Sequence, residues 1–500
     1  MAELIKADLI ISVLVLLVFR LARDWLTSEI PPATQKLWRN ALLVITSLAF
    51  LSPSIWIFFA LAWLQLVMLS SREPNRAVIY ALMLCTVPPV MAVVPGFGVI
   101  NNLMLIDYQR LLALVMLLPA ISRPSSLDKD PAATRTDQLL LGFVILCSIL
   151  NFRGTTLTDG MRESVYVLLD SFLPYWVINR AIQNLTDIRR ILTALTVTAL
   201  VLAAAGSFEF LKHWLLYFSI GPHWGIIDRD HPYLLREGSV RATATLASPI
   251  ALGFLMVVAL GFWFYLAQTR AQRTNSRAVP GLLGLGLLFP LSRGPWIGAV
   301  VLYLVYQFTA PGGLKRAAKL LMLALILFPL LYVIPGGDKV INLLPFIGHT
   351  EEANVTYRQN LMTNAWIVIQ RNFLLGSMTF LSTPEMQSMV QGQGIIDIVN
   401  TYLGIALKYG MLGLAFFAGF LISVLHNLIQ IARLTAHRPD LEILRRILLA
   451  SMLSIMIMII TVSPVGMIGQ LYMMIAAVAI GFARLVRTYS SQTDHPNMQA

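Results

Sequence analysis

Charge is what this chain has least of. Of its 500 residues only 12% are Asp, Glu, Lys or Arg, 57% are hydrophobic, and the mean hydropathy is +0.73. So little polar surface cannot cover a core of that size in water, which excludes a soluble globular domain. Cysteine is nearly missing: Cys85 and Cys147 both fall in apolar segments, so neither a disulfide framework nor a cysteine metal site is indicated. The seven histidines are scattered without HxxxH or HExxH spacing, so no histidine metal motif is present. Alternating apolar and polar residues are also absent, which excludes a transmembrane β-barrel. There is no internal repeat and no low-complexity tract. No inverted pair of interrupted apolar helices occurs, so the commonest sequence sign of a secondary transporter is missing.

What is present is apolar runs from end to end, many of them long enough to cross hydrocarbon as helix. They predict an all-α, polytopic transmembrane helical bundle of about 12–15 spans, near 5–19, 40–52, 54–70, 77–94, 103–122, 138–151, 161–180, 190–218, 246–267, 279–292, 295–309, 317–334, 399–433, 445–463 and 466–486. The first, LIISVLVLLVF, is followed by Arg20 and Arg23 and has no small-residue cleavage site, so it reads as a retained span. The net charge of +12 does not indicate nucleic acid, because the basic residues sit largely in short loops. Alternate loops collect 24 of the 37 Lys and Arg residues on one side, which is the cytoplasmic side by the positive-inside rule. The N-terminus is then outside and the C-terminal tail inside.

Two outer loops are long. One runs from Gly221 to Ala244 and the other from about Gly336 to Ile398. The latter is partly helical, since Leu361, Ala365, Ile369 and Phe373 recur at i+4 spacing. The chain accordingly divides into N-terminal transmembrane helices (1–220), a core holding both loops (221–413), and C-terminal transmembrane helices with a tail (414–500). Long loops on a rigid scaffold are where functional residues concentrate.

Three arginines lie on that outer side. Arg241, in RATATLASP, is placed at the membrane surface, where a guanidinium can hold a lipid phosphate through two parallel hydrogen bonds or simply snorkel to headgroups. Arg293, in LSRGPW, falls between two apolar segments with almost no loop, so it either closes an ion pair or faces a wet cavity. Arg358 lies off the apolar stripe of the loop helix, with Glu351 and Glu352 upstream as salt-bridge partners or a base. Asp397, Asn400 and Tyr402 open the next span. Asp397 and Asn400 would share a pocket if helical, though a carboxylate there is equally a helix cap. Asp228 and Asp230 form a D-x-D pair beside His231, but Arg229 between them offers an internal partner, so no metal site is assigned.

Over roughly Val240 to Gly413 the chain resembles the O-antigen ligase and Wzy polymerase superfamily, integral-membrane glycosyltransferases of the GT-C type. The resemblance rests on RATATLASP, LSRGPW, YRQNLMTNAW and VNTYL, occurring in that order. It implies a metal-independent enzyme without cofactor, facing the periplasm in the bacterial inner membrane. Its donor would be an undecaprenyl pyrophosphate-linked glycan, its acceptor a glycan, and its surroundings the lipid bilayer, with a chain-length regulator and export machinery as partners. Arg241 and Arg358 would be catalytic; Arg293, Asn400, Tyr402, Glu351 and Glu352 would bind substrate. Val399 stands where ligases of the family carry a histidine, which favours a polysaccharide polymerase over a ligase acting on lipid A core and leaves Asp397 as the candidate base. A lipid-linked oligosaccharide flippase is the competing class, and Asp107, Arg110, Asp170, Glu209, Lys212 and Lys408 are the span charges it would use.

Overall fold

The computed structural model describes residues 1–98, 100–122, 130–154, 156–226, 234–236, 238–269, 277–313, 315–316, 318–319, 322, 352–391, 394–463 and 466–493. These form an all-α polytopic bundle. Its helices are α1 (Ala2–Leu21), α2 (Arg23–Glu29), α3 (Pro32–Leu51), α4 (Ile55–Arg72), α5 (Arg76–Met83), α6 (Tyr108–Leu112), α7 (Pro131–Leu150), α8 (Leu157–Val167), α9 (Leu173–Ala181) and α10 (Leu185–Lys212). They continue with α11 (Pro249–Gln268), α12 (Ala278–Leu288), α13 (Arg293–Phe308), α14 (Glu352–Arg371), α15 (Thr401–Gln430), α16 (Pro439–Met458) and α17 (Ile468–Thr493). Short turns of helix join some of them.

Among the described residues, six helices are long and apolar enough to cross a membrane: α4, α7, α10, α11, α15 and most of α17. Burial sorts them. The apolar windows of α17 and α10 are 94% and 83% enclosed by protein, whereas those of α4 and α15 are 33% and 39% enclosed. The first two therefore form the axis, and the others turn much of their apolar surface outward. Helix α1 does likewise, with Leu9, Val13 and Leu17 about half exposed, as a lipid-facing stripe requires.

Two expected spans are broken. The run 77–94 reads as one helix only if Pro88 and Pro89 are overlooked. Helix α5 ends at Met83, and the chain continues into the antiparallel hairpin β1 (Ala92–Pro95) and β2 (Asn102–Ile106). Proline has no amide proton and forces the residue before it out of helical backbone, so a helix cannot run through the pair. The run 103–122 starts inside that hairpin. Its helix begins only after Asp107, whose carboxylate caps it by accepting from the Arg110 amide at 2.8 Å. A π-helical turn, Ala113–Leu117, then precedes Pro119, and a second, Leu168–Phe172, precedes Pro174 between α8 and α9. The expected span 317–334 lies almost wholly outside the described residues.

The loop helix is present as α14, and Leu361, Ala365 and Ile369 are buried on its inner face. Phe373 is not; it lies beyond the helix end and is 47% exposed. The inner face packs on Phe380, Met386 and Met389, and on Leu403, Ala406 and Leu407 of α15. That helix is kinked at Gly410 (φ 71°), and the segment after α14 fills the kink. The amides of Met411 and Leu412 donate to the carbonyls of Phe373 and Leu374 at 2.8 and 3.2 Å, and the Ser377 amide donates to Leu407 at 2.9 Å. Glycine is required at Gly376 and Gly410 because each backbone lies directly against the other strand of this crossing.

Candidate functional site

The segments that carry Arg241, Arg293 and Arg358 meet at one end of the bundle, around the connection between α16 and α17. Arg241 is half-buried. Its Nε donates to the Pro290 carbonyl at 3.0 Å and its Nη2 to Ser292 Oγ at 2.7 Å. The Ala242 amide donates to Phe289 and Arg236 donates to the Leu291 carbonyl, so the segment 236–242 lies along the turn 289–292. Leu291 adopts φ 49°, and the turn delivers Arg293 into the first turn of α13.

The next residue, Gly294, sits against Thr461, where a Cβ would come to 2.7 Å from the hydroxyl. The Thr461 carbonyl in turn receives Arg358 Nη2 from α14 at 3.5 Å, a weak bond at the limit of hydrogen-bond distance. Two residues on, Ser463 Oγ donates to Asp397 Oδ1 at 3.3 Å. The Tyr357 hydroxyl clasps the backbone of Asp397, donating to its carbonyl at 3.0 Å and accepting from its amide at 3.1 Å. Burial pushes the Tyr357 hydroxyl above the ordinary tyrosine range, so its proton stays on throughout neutral pH. Arg241, Arg293, Arg358 and Asp397 thus share one neighbourhood.

Asp397 is not the helix cap. Residues 395–400 are non-helical, and Asn400 caps α15 by accepting from the Leu403 amide at 3.1 Å. The alternative reading of Asp397 as a cap is therefore corrected, and so is the idea that Asp397 and Asn400 stand one helical turn apart. Asn400 holds the helix start, and the Tyr402 hydroxyl donates to the Met456 carbonyl of α16 at 3.2 Å. Val399 packs into the small core beneath α14. Glu352 opens α14, whereas Glu351, Asp228, Asp230 and His231 lie outside the described residues.

Sequence reasoning saw Glu209 only as a span charge. It is fully buried at the end of α10, and its carboxylate accepts from the amides of Leu216, Thr243 and Ala244 at 3.0, 3.0 and 2.8 Å. The last two directly follow Arg241 and Ala242. Ala244 and Ala247 are held at φ 48° and 55°, a strained region for any residue with a Cβ. The carboxylate therefore fixes the segment that carries Arg241. Beside it opens a mostly apolar cavity of about 350 Å³, whose walls include Pro89, Met91, Tyr217, Phe218, Pro222 and Ala244.

Fold and site together define a membrane-embedded helical protein with a shelf of cationic and carboxylate side chains at one end. No known family model matches the chain, and no curated protein matches it.

Proposed function

We propose that the protein is a polysaccharide polymerase that transfers glycan from an undecaprenyl pyrophosphate-linked donor to a glycan acceptor at the periplasmic face of the bacterial inner membrane. One observation carries this reading: residues from five separate segments come together through the hydrogen bonds of Arg241 with Ser292, Arg358 with Thr461 and Asp397 with Ser463, bridging 51, 103 and 66 positions of sequence, and through the contact of Gly294 with Thr461. The acceptor hydroxyl attacks the anomeric carbon as the bond to the pyrophosphate oxygen breaks. The electron pair leaves on that oxygen, where Arg241 and Arg358 stabilise it, and the hydroxyl proton passes to Asp397. The apolar cavity beside Ala244 suits the isoprenoid chain of such a donor.

A flippase reading draws less support, because Arg110 and Lys408, two of the span cations it would need, are each closed on a carboxylate. Arg110 pairs with Asp170 at 2.9 Å and Lys408 with Glu163 at 2.9 Å.

The test is Asp397→Asn, assayed as purified protein with lipid-linked donor. Asn400 already supplies the cap, so a change in activity cannot be ascribed to losing one. Turnover should fall by about 100-fold or more while donor binding persists, as expected on removing a general base. Full activity in this variant would remove Asp397 as the base.

A further inference from the structure

The opposite end of the bundle carries a second polar feature that plays no part in the proposed reaction. Helices α1 and α2 meet α3 there around an open groove of about 600 Å³. Arg20 and Arg23 line one wall, and Lys36 and Arg39 line the other. Pro32, Gln35, Lys36 and Arg39 follow the i, i+3, i+4, i+7 spacing of a single helix face, so α3 turns both its cations inward. Gln35 closes the base of the groove, donating to the Ile30 carbonyl at 3.1 Å and to Thr27 Oγ1 at 3.4 Å.

Pairing separates these four cations from their neighbours. At the same end Arg189 is bound to Glu29 at 2.8 Å, Arg190 to Glu73 at 2.5 Å and Arg487 to Asp130 at 2.5 Å. Among the described residues no carboxylate pairs with Arg20, Arg23, Lys36 or Arg39; Arg39 instead donates to Asn40 Oδ1 at 3.2 and 3.1 Å. Four like charges around one groove repel, and an anion between them reverses the sign of that energy. Positive charge at a loop sets orientation wherever it lies, but orientation does not require the charges to converge. The other walls are apolar. Leu16 and Phe19 line the groove, and Leu9, Val13 and Leu17 extend the exposed apolar surface along α1.

We propose that this groove binds the phosphate headgroup of an anionic phospholipid, with its acyl chains lying along the exposed stripe of α1. Arginine forks suit phosphate oxygens, and basic pockets between membrane helices recognise such headgroups. The apolar wall at Leu16 and Phe19 selects a lipid over a soluble phosphate.

Full-length protein in detergent, followed by native mass spectrometry with phosphatidylglycerol, phosphatidylcholine or inorganic phosphate as probes, tests this. Wild type should retain phosphatidylglycerol at least about tenfold better than phosphatidylcholine, a factor that corresponds to about 1.4 kcal/mol and needs only part of what four nearby cations supply. Lys36→Gln with Arg39→Gln should abolish the preference. Arg23→Lys with Arg39→Lys, which keeps the charge and so the orientation, should reduce it by roughly threefold through lost bidentate geometry. Equal retention of both lipids by wild type, or a preference that survives in the glutamine variant, would overturn the proposal. Displacement of bound phosphatidylglycerol by millimolar inorganic phosphate would also overturn it, by making the groove a soluble-anion site.

Discussion

Glu209 holds backbone rather than balancing charge: its carboxylate meets three amide N–H groups and, among the described residues, no cation. Glutamine has one oxygen where glutamate has two, so Glu209→Gln turns an NH₂ group toward an amide donor. That leaves at least one buried donor unsatisfied, at a cost of about 1–3 kcal/mol. The strained stretch around Ala244 should relax and displace Arg241, and polymer formation should fall by about tenfold or more at unchanged protein level, since 1.4 kcal/mol is already a factor of ten. Polymer assays beside immunoblots of the membrane fraction check this. Tyr357→Phe removes both bonds to the Asp397 backbone. Each is a neutral hydrogen bond of about 1 kcal/mol, so turnover should fall by about tenfold while donor affinity holds, which kcat and KM measured separately will distinguish. Loss of Arg241 itself should be more severe. Arg241→Ala is expected to cost about 100- to 1,000-fold in rate, and wild-type polymer levels would take it out of the site.

Among the elements, the stripe Leu361, Ala365 and Ile369 was legible because helical periodicity is a local property and α14 does bury that face. The kink of α15 was not. Its cause is a carbonyl strand 36 residues upstream, the Leu374 peptide, lying against Gly410, and no local pattern announces such a crossing. Gly410→Ala would set a side chain at φ 71° and ψ −174°, a backbone region essentially confined to glycine, costing about 1–3 kcal/mol before the collision with Leu374 is counted. Thermal unfolding of the purified protein should show a clear loss of stability. Gly404→Ala on the same helix should show far less, because its new methyl would meet Ile398 only at 3.6 Å. The hairpin after α5 is a different kind of miss: Pro88 and Pro89 were in plain view, and hydropathy alone carried the expected span through them.

At the scale of the whole molecule, the motif segments could be ordered from the sequence, and the structure adds what joins them. That joint is the connection Thr461–Ser463, which contains no charged residue and gives a sequence search nothing to hold. Glu209 stood out as a charge in a span, yet its purpose depends on the chain returning 34 and 35 positions later with two amides in register. The proposed orientation has a direct check. Ser382 lies in the segment after α14 and His437 between α15 and α16, both exposed and on opposite sides if α15 spans the membrane. A membrane-impermeant thiol probe applied to intact cells with a permeabilised outer membrane should label Ser382→Cys and spare His437→Cys, and the reverse pattern would turn the site to the cytoplasm.

The Arg110–Asp170 pair also bears on how the molecule is made. Arg110 is synthesised 60 residues before its carboxylate, and Gln470, which donates to the same Asp170 at 3.0 Å, follows 300 residues after it. At roughly 5–20 residues per second, the guanidinium, already beside Asp107, waits several seconds for its second carboxylate, and Asp170 waits tens of seconds for the amide. Helix α17, at the axis of the bundle, is synthesised after the other described helices. The Arg110–Asp170–Gln470 cluster is therefore complete only once α17 is in place, and a chain truncated before Gln470 would lack the amide that donates to Asp170.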